Sequence, residues 1–459
     1  MQYSSIASLR VLGFATIPVE TSLQDVRFKQ EMTFANNSGA TRPTIAIVGF
    51  SVRAATQCAR RQGFEVVAVD FCSDRDLLAE CTEHFRLDDP NWPITLNGKY
   101  PGAPVLLTGG MEHRTHLIHQ FNGGGSRFGT SASQIAQMRS LDNWASWAAR
   151  SKIRWPVTLT DRFAMEKFLG QRILPRFNWL TKPIDSAGGM GISMIDLATH
   201  LRDLNKSEQS NFYIQQKLPG RSVGVTFLSS EFGSVPIGAT AAWNNIDHPS
   251  RSSDSHFKYH GSFGPIALTL EQVNRLQCFA TQVGLDSGIL GLWQADFIDH
   301  ADELSLLEIN PRWSASMDLL DVGLGLKLVD EHVACISKQE SRRQFERISE
   351  TAREHMTKLH QIMLAPAAIM LGKLIVYAKE PFTVSLNHSN HWWANRWLVD
   401  LESMCNGCSL ADIPCDRTAV GQGEPILTIM TAGNSEESML HALQSEQIRL
   451  EAEMMDARR

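Results

Sequence analysis

The 459 residues are enough for about two to four domains of ~100–200 residues each. With 43 basic and 49 acidic residues the net charge is −6, which disfavours a general nucleic-acid binder, and 43% hydrophobic with 20% charged residues excludes disorder along the whole chain. No run of 18 apolar residues predicts a transmembrane helix, and eight cysteines are too sparse for a disulfide scaffold.

In chain order, Val11–Val19 is apolar and follows Arg10, but it lacks a clear small-residue cleavage site. A reduced, cytoplasmic protein is therefore expected. Residues 1–43 carry little pattern and end in a turn-rich linker. The run Thr44–Gly49, the stretch Val52–Gln62 with Gly63 past its end, and the runs Glu65–Asp70 and Val105–Gly110 read as strand, helix, strand and strand. That pattern predicts a doubly wound parallel sheet. Its first turn, Gly49-Phe50-Ser51-Val52-Arg53-Ala54, is not GxGxxG, so a scaffold is favoured over a dinucleotide site.

A helix is expected over Ser131–Ala149, and Asp161 reads as the N-cap of a helix over Arg162–Gly170. Strands, Gly-rich turns and helices alternate from Trp179 to about Leu320, as in a large α+β region. A polar helix over Lys338–His360 leads to a strand-rich segment, with strands at Lys373–Ala378, Phe382–Leu386 and Ile426–Met430 and turns at Gly421 and Gly423. Glu436–Met455 reads as a terminal helix.

Two segments carry chemistry. In the first, a strand delivers Lys182, and the loop Pro183-Ile184-Asp185-Ser186-Ala187-Gly188-Gly189-Met190-Gly191 follows at once. Glycines let backbone N–H groups approach a phosphate, and the lysine adds a point charge for the same oxyanion. In the second, Leu292–Ile298 and Leu304–Arg312 flank the polar turn His300-Ala301-Asp302-Glu303. A hairpin there places Asp296 beside Glu308, with Asn310 and Arg312 on the same face. Adjacent carboxylates in apolar strands are costly unless a cation joins them, and an all-oxygen set suits a hard divalent ion. Arg312 could hold a phosphoryl oxygen.

Lys182 with Ser186-Ala187-Gly188-Gly189-Met190-Gly191, then Tyr213-Ile214-Gln215-Gln216-Lys217-Leu218-Pro219-Gly220, then Asp296 and Glu308-Ile309-Asn310-Pro311-Arg312, resemble the ATP-grasp superfamily in order and spacing. The resemblance spans about residues 44–335. It implies an N-terminal extension (1–43), a Rossmann-like pre-ATP-grasp domain (44–130), a two-subdomain ATP-grasp core (131–335), a helical linker (336–361), a small β-rich C-terminal domain (362–435) and a terminal helix (436–459). The fold class is thus α/β and α+β. ATP would be held by Lys182, Ser186, Gly188, Gly189 and Gly191, with Gln215, Gln216, Lys217 and Leu218 as the adenine hinge. Asp296, Glu308 and Asn310 would hold Mg²⁺, or Mn²⁺ in its place, and Arg312 would steady the transferred phosphoryl group. Two departures stand out. The hinge commonly carries an acidic residue where this chain has Gln215-Gln216. The usual upstream lysine is absent from Arg139-Ser140-Leu141-Asp142-Asn143, where Arg139 would substitute.

The implied activity is an ADP-producing carboxylate–amine ligase acting through an acyl phosphate on small-molecule acids and amines, with no nucleic acid or membrane partner and often as a homodimer. Ser255–Ser262 resembles the substrate-facing loop of such ligases, so Lys258 or Tyr259 is expected to touch the acceptor. Val48–Ala55, Asp70-Phe71-Cys72-Ser73-Asp74 and Gly109-Gly110-Met111-Glu112 are similar to ATP-grasp proteins linked to tetrahydromethanopterin and methanofuran C1 metabolism, such as tyramine–glutamate ligase. That resemblance implies glutamate as one substrate. The alternatives are a biotin-carboxylase-like carboxylase, which would need a separate carrier, and a nucleotide-binding scaffold without turnover. His113, His116 and His119 at helical spacing, and Cys405, Cys408 and Cys415 near His388 and His391, have metal-ligand types, but core or surface roles are expected of both sets. Trp392, Trp393 and Trp397 are expected to pack.

Overall fold

The computed structural model describes residues 42–121, 127–170, 177–186, 188–203, 211–243, 257–363, 370–384, 404–405 and 407–456. The histidines His256, His388 and His391 and the three tryptophans from 392 to 397 lie outside them, as do Ala187 and residues 1–41.

The strands are β1 (Thr44–Val48), β2 (Glu65–Asp70), β3 (Glu83–Arg86), β4 (Val105–Leu107), β5 (Thr158–Leu159), β6 (Trp179–Pro183), β7 (Ser193–Ile195), β8 (Phe212–Gln216), β9 (Arg221–Ser230), β10 (Gly233–Ala242), β11 (Gly261–Gly264), β12 (Gly291–His300), β13 (Glu303–Asn310), β14 (Met370–Tyr377), β15 (Phe382–Thr383), β16 (Cys408–Ala411), β17 (Ala419–Val420) and β18 (Pro425–Gly433).

The first four form a parallel sheet in the order β3-β2-β1-β4. The apolar residues of β1, β2 and β4 are buried on both faces, as the unbroken Val/Ile/Leu runs require of a covered parallel sheet. Gly63 closes the first helix, Arg53–Arg61, with φ +91°, a conformation in which a side chain is strained. A second sheet, β5-β8-β6-β7, is small and has its own core around Met165, Trp179, Leu197 and Ile214. The third sheet has eight strands in the order β13-β12-β9-β10-β11-β14-β18-β16. Strands from the ATP-grasp-like region and from the C-terminal segment share it, joined where β11 pairs with β14. One core runs along it, including Trp144, Phe227, Trp293, Leu374 and Leu443. The chain is thus mixed α/β and α+β, with a parallel N-terminal sheet and a large antiparallel one.

One local expectation is corrected. The helix expected over Ser131–Ala149 is two helices, Ala132–Met138 and Leu141–Arg150. Ser140 breaks it, because its hydroxyl caps the second helix by accepting from the Asn143 N–H. The segment around Cys408 is strand β16. The Cys408 thiol donates to the Ala442 carbonyl at 3.8 Å, whereas Cys415 donates to the Ser73 carbonyl at 3.2 Å. Asp161 does cap the helix Arg162–Leu169, accepting from the Ala164 N–H at 2.8 Å. Among the described residues no helix is long and apolar enough to cross a membrane.

Candidate active site

β12 and β13 pair antiparallel around a two-residue turn in which Ala301 and Asp302 both have positive φ, 50° and 64°. A tight hairpin needs that geometry to match the twist of its strands. The register sets Asp296 directly opposite Glu308 and Gln294 opposite Asn310. The Asn310 amide donates to Asp296 Oδ2 at 2.9 Å and to Glu308 Oε1 at 3.5 Å. Gln294 donates to Asp296 Oδ1 at 2.7 Å. Its own carbonyl oxygen is held by the hydroxyls of Ser314 and Ser316. On β9, Gly224 backs this cluster, and a Cβ there would lie 2.8 Å from Gln294 Nε2 and 3.3 Å from Asp296 Oδ1.

Burial and the facing Glu308 carboxylate push Asp296 up to about 7. Burial works the same way on Glu308, but the charges of Arg139, Lys182 and Arg312 overcome it and hold Glu308 below the ordinary range. Two carboxylates and an amide oxygen, crowded and short of cationic charge at Asp296, fit a hard divalent cation such as Mg²⁺.

Arg312 follows on the chain after Pro311. Its guanidinium donates to Glu112 Oε1 at 2.8 Å, to Asn310 Oδ1 at 3.3 Å and to the Trp313 carbonyl at 3.1 Å. Glu112 comes from the short helical turn after β4, so the N-terminal sheet reaches the hairpin through this ion pair. Arg139 lies between the two halves of the site. It faces Glu308 at 3.8 Å and donates to the carbonyls of Ile309 and Ile184, at 3.2 and 3.4 Å.

Lys182 lies in β6, opposite Tyr213 and just before the glycine loop. Gly188, Gly189 and Gly191 all have positive φ, and a Cβ on Gly189 would sit 1.8 Å from the Phe257 carbonyl oxygen. The loop therefore requires glycine where it meets residues 257–259, and the Tyr259 N–H donates to the Gly188 carbonyl at 2.9 Å. Ser186 closes the loop by donating to the Met190 carbonyl.

The hinge differs in detail from the sequence expectation. Gln215 and Gln216 are buried, and Gln215 accepts from Lys182 Nζ at 3.1 Å while donating to Thr158 at 3.2 Å. The Gln215 side chain thus positions the lysine. Gln216 accepts from the Val157 N–H at 3.4 Å. Lys217 is exposed, with its ammonium 5.6 Å from the Phe257 ring centroid, and Leu218 is half-buried. Lys258 is not gathered with these groups. Its ammonium donates to the Gly423 carbonyl and lies 4.0 Å over the Tyr377 ring, in the C-terminal segment. The Tyr259 hydroxyl pairs with Ser262 at 2.6 Å. His113 faces Asp185 at 3.7 Å, and among the described residues no metal-ligand group forms at the histidines or at Cys405, Cys408 and Cys415.

Sequence reasoning singled out neither Gln294 nor the pair Lys373–Asp318. Gln294 lies two residues before Asp296 on the same strand face, a spacing that was there to be read. Lys373 interrupts the apolar strand β14, and it donates to Asp318 at 2.7 Å and to the Ala315 carbonyl, pinning the loop that follows Arg312. An isolated lysine in such a strand calls for a buried partner.

Residues 151–316 match the family model described as the ATP-grasp domain. No curated protein matches the sequence. Solved structures share the fold at low identity. The biotin carboxylase domain of Hydrogenobacter thermophilus 2-oxoglutarate carboxylase, in complex with MgADP, ADP and bicarbonate, is 12% identical, with a TM-score of 0.62 over 88% of this chain and 89% of that one. Phosphoribosylamine–glycine ligase from Thermotoga maritima is 13% identical, with a TM-score of 0.59 over 88% and 95%. L-amino acid ligase from Bacillus licheniformis is 13% identical, with a TM-score of 0.57 over 88% and 97%.

Proposed function

With an ATP-grasp domain as the premise, we propose that the protein is an ATP-dependent carboxylate–amine ligase. One observation carries the reading: Asp296, Glu308, Asn310 and Arg312 converge on one hairpin, and Lys182 is near enough to lower Glu308 electrostatically. That arrangement suits a triphosphate lying between the hairpin and the glycine loop.

Asp296, Glu308 and Asn310 would hold Mg²⁺, which neutralises and orients phosphate oxygens when bound. Lys182 binds phosphate oxygen under the glycine loop, and Gln215 keeps its ammonium in place. Residues 215–218 border the adenine site. Arg139 stands where the usual upstream lysine would. A carboxylate oxygen of the acid attacks the γ-phosphorus, the bond to the bridging oxygen breaks, and ADP leaves. Arg312 offsets charge on the transferring group, and Glu112 and Asn310 fix its direction. The amine nitrogen then attacks the acyl carbon, expels phosphate and gives up a proton. The overall contribution is positioning and charge neutralisation.

Glutamate as one substrate and a place in C1-cofactor biosynthesis extend the same reading. They rest on the likeness of residues 48–55, 70–74 and 109–112 to such ligases. A carboxylase is the second reading, favoured by the likeness to a biotin carboxylase domain bound to MgADP and bicarbonate. ADP release from Mg·ATP against a panel of acids and amines, beside Asp296→Ala/Glu308→Ala, tests the proposal. Turnover that needs one acid–amine pair and is lost in the double variant supports it. Turnover that needs bicarbonate instead supports the carboxylase, and absence of ATP binding overturns both.

A further inference from the structure

We propose a second cation site, for a thiophilic divalent ion such as Zn²⁺, at Asp70, Cys72 and Asp74. These residues lie at the carboxyl end of β2 and lead into the helix Arg75–Glu80. One ligand atom from each lies within 4.8 Å of the other two. Tetrahedral zinc, with bonds of ~2.0–2.3 Å, holds its ligands about 3–4 Å apart, so a modest contraction closes the site.

The two carboxylates are buried, with Asp70 0% and Asp74 7% exposed. Asp70 Oδ1 is used: His84 Nε2 is 2.9 Å away and the Ser73 N–H donates at 3.0 Å. Asp70 Oδ2 is buried and has no hydrogen-bond partner. Asp74 stands at an N-cap position yet accepts no capping bond, and its carboxylate accepts no other hydrogen bond among the described residues. A buried carboxylate oxygen without a partner, such as Asp70 Oδ2, is costly and calls for a cation.

The nearby cation is already committed. Arg53 is bidentate to Asp412, at 2.8 and 3.2 Å, and faces Asp76 at 3.6 Å. Arg86 is the other cation near Asp70 and Cys72, and it is bidentate to Asp88, at 2.8 and 3.0 Å. The thiol of Cys72 decides the class of ion. It is exposed, and its sulfur lies 3.3 Å from the Phe50 carbonyl oxygen. Binding would send its proton to solvent and leave a thiolate, a ligand that selects zinc over magnesium or calcium. Water would complete the coordination. His84 would orient Asp70 from behind, as outer-shell partners of metal ligands do.

The site lies on a seam. The Arg75 N–H donates to the Ile413 carbonyl, Asp76 accepts from the N–H groups of Asp412 and Ile413, and Cys415 donates to Ser73. An ion bound there stiffens the contact between the N-terminal sheet and the C-terminal segment.

The test is titration of metal-stripped full-length protein with Co²⁺, read by absorption. One equivalent is expected to give a thiolate-to-cobalt charge-transfer band with the visible bands of a tetrahedral centre. Cys72→Ser loses the charge-transfer band, Cys415→Ser keeps it, and Asp74→Asn weakens binding by about ten-fold or more. Zn²⁺ displaces the signal and raises the thermal midpoint of the wild type but not of Cys72→Ser. A band that survives in Cys72→Ser, or no Co²⁺ bound at all, overturns the proposal. Retention of the band in Asp296→Ala/Glu308→Ala separates this site from the hairpin site.

Discussion

Replacing Arg312 with alanine is expected to do two separable things. Arg312 and Glu112 form an ion pair whose side chains are 11% and 1% exposed. Burial alone would raise the Glu112 carboxyl, but the Arg312 guanidinium outweighs it and holds Glu112 below the usual range. Arg312→Ala strands that carboxylate, and losing one partner of a buried pair costs ~3–5 kcal/mol. Arg139 also lowers Glu112, so about 3 kcal/mol is the better figure here. Separately, on the proposed function Arg312 meets charge in the transition state, and removing such a group costs ~10²–10³ in kcat, with ATP affinity little changed. Arg312→Ala/Glu112→Gln removes the stranded charge. It should recover most of the stability in urea unfolding while kcat stays low. An Arg312→Ala enzyme with wild-type kcat, or a double variant in which kcat returns with stability, refutes the reasoning.

Other consequences can be checked independently. On the proposed function, Lys182→Met removes a charge-assisted phosphate contact worth ~1.5–3 kcal/mol, so calorimetry should show ATP binding about 10–10²-fold weaker. Gly189→Ala forces a side chain into a left-handed backbone and against the Phe257 carbonyl. Strain of ~1–2 kcal/mol should weaken ATP binding without changing far-UV circular dichroism. His332 is buried, accepts from the Leu292 N–H through Nδ1, and is pushed down to about 4 by burial. A depressed folded pKa means the unfolded chain takes the proton first. Stability is therefore fully present above ~6.5 and falls by about 3 kcal/mol on the way down to pH 4, and a His332→Gln variant should lack that part of the acid slope. A parallel slope in the variant would show that other groups account for it.

The hairpin was legible because charge in an apolar strand has few explanations. Leu-Leu-Glu-Ile-Asn and Gln-Ala-Asp-Phe, separated by a polar turn, imply a shared face, and the register bears this out. The glycine loop was legible for a similar local reason. Long-range packing was not. Position in a loop said nothing of where β14 and β18 would lie, and so nothing of the contact between Lys258 and the Gly423 carbonyl. The contact of Arg53 with Asp412 spans 359 positions, and no local pattern in the sequence announces it. Nor did the hinge pattern announce that the Gln215 side chain meets Lys182, which depends on β8 lying beside β6.

The pairing of β11 with β14 bears on how this chain can be cut. A fragment ending at residue 363 would keep Lys182, Asp296, Glu308 and Arg312, but it would lose β14, β16 and β18. The outer side of β11 would then present its unpaired backbone to solvent, with Phe263 and its apolar neighbours uncovered. An open edge of that kind recruits other chains. The excised fragment should therefore aggregate, and supplying residues 364–459 as a separate polypeptide offers a strand-exchange route to a reassembled, two-piece fold.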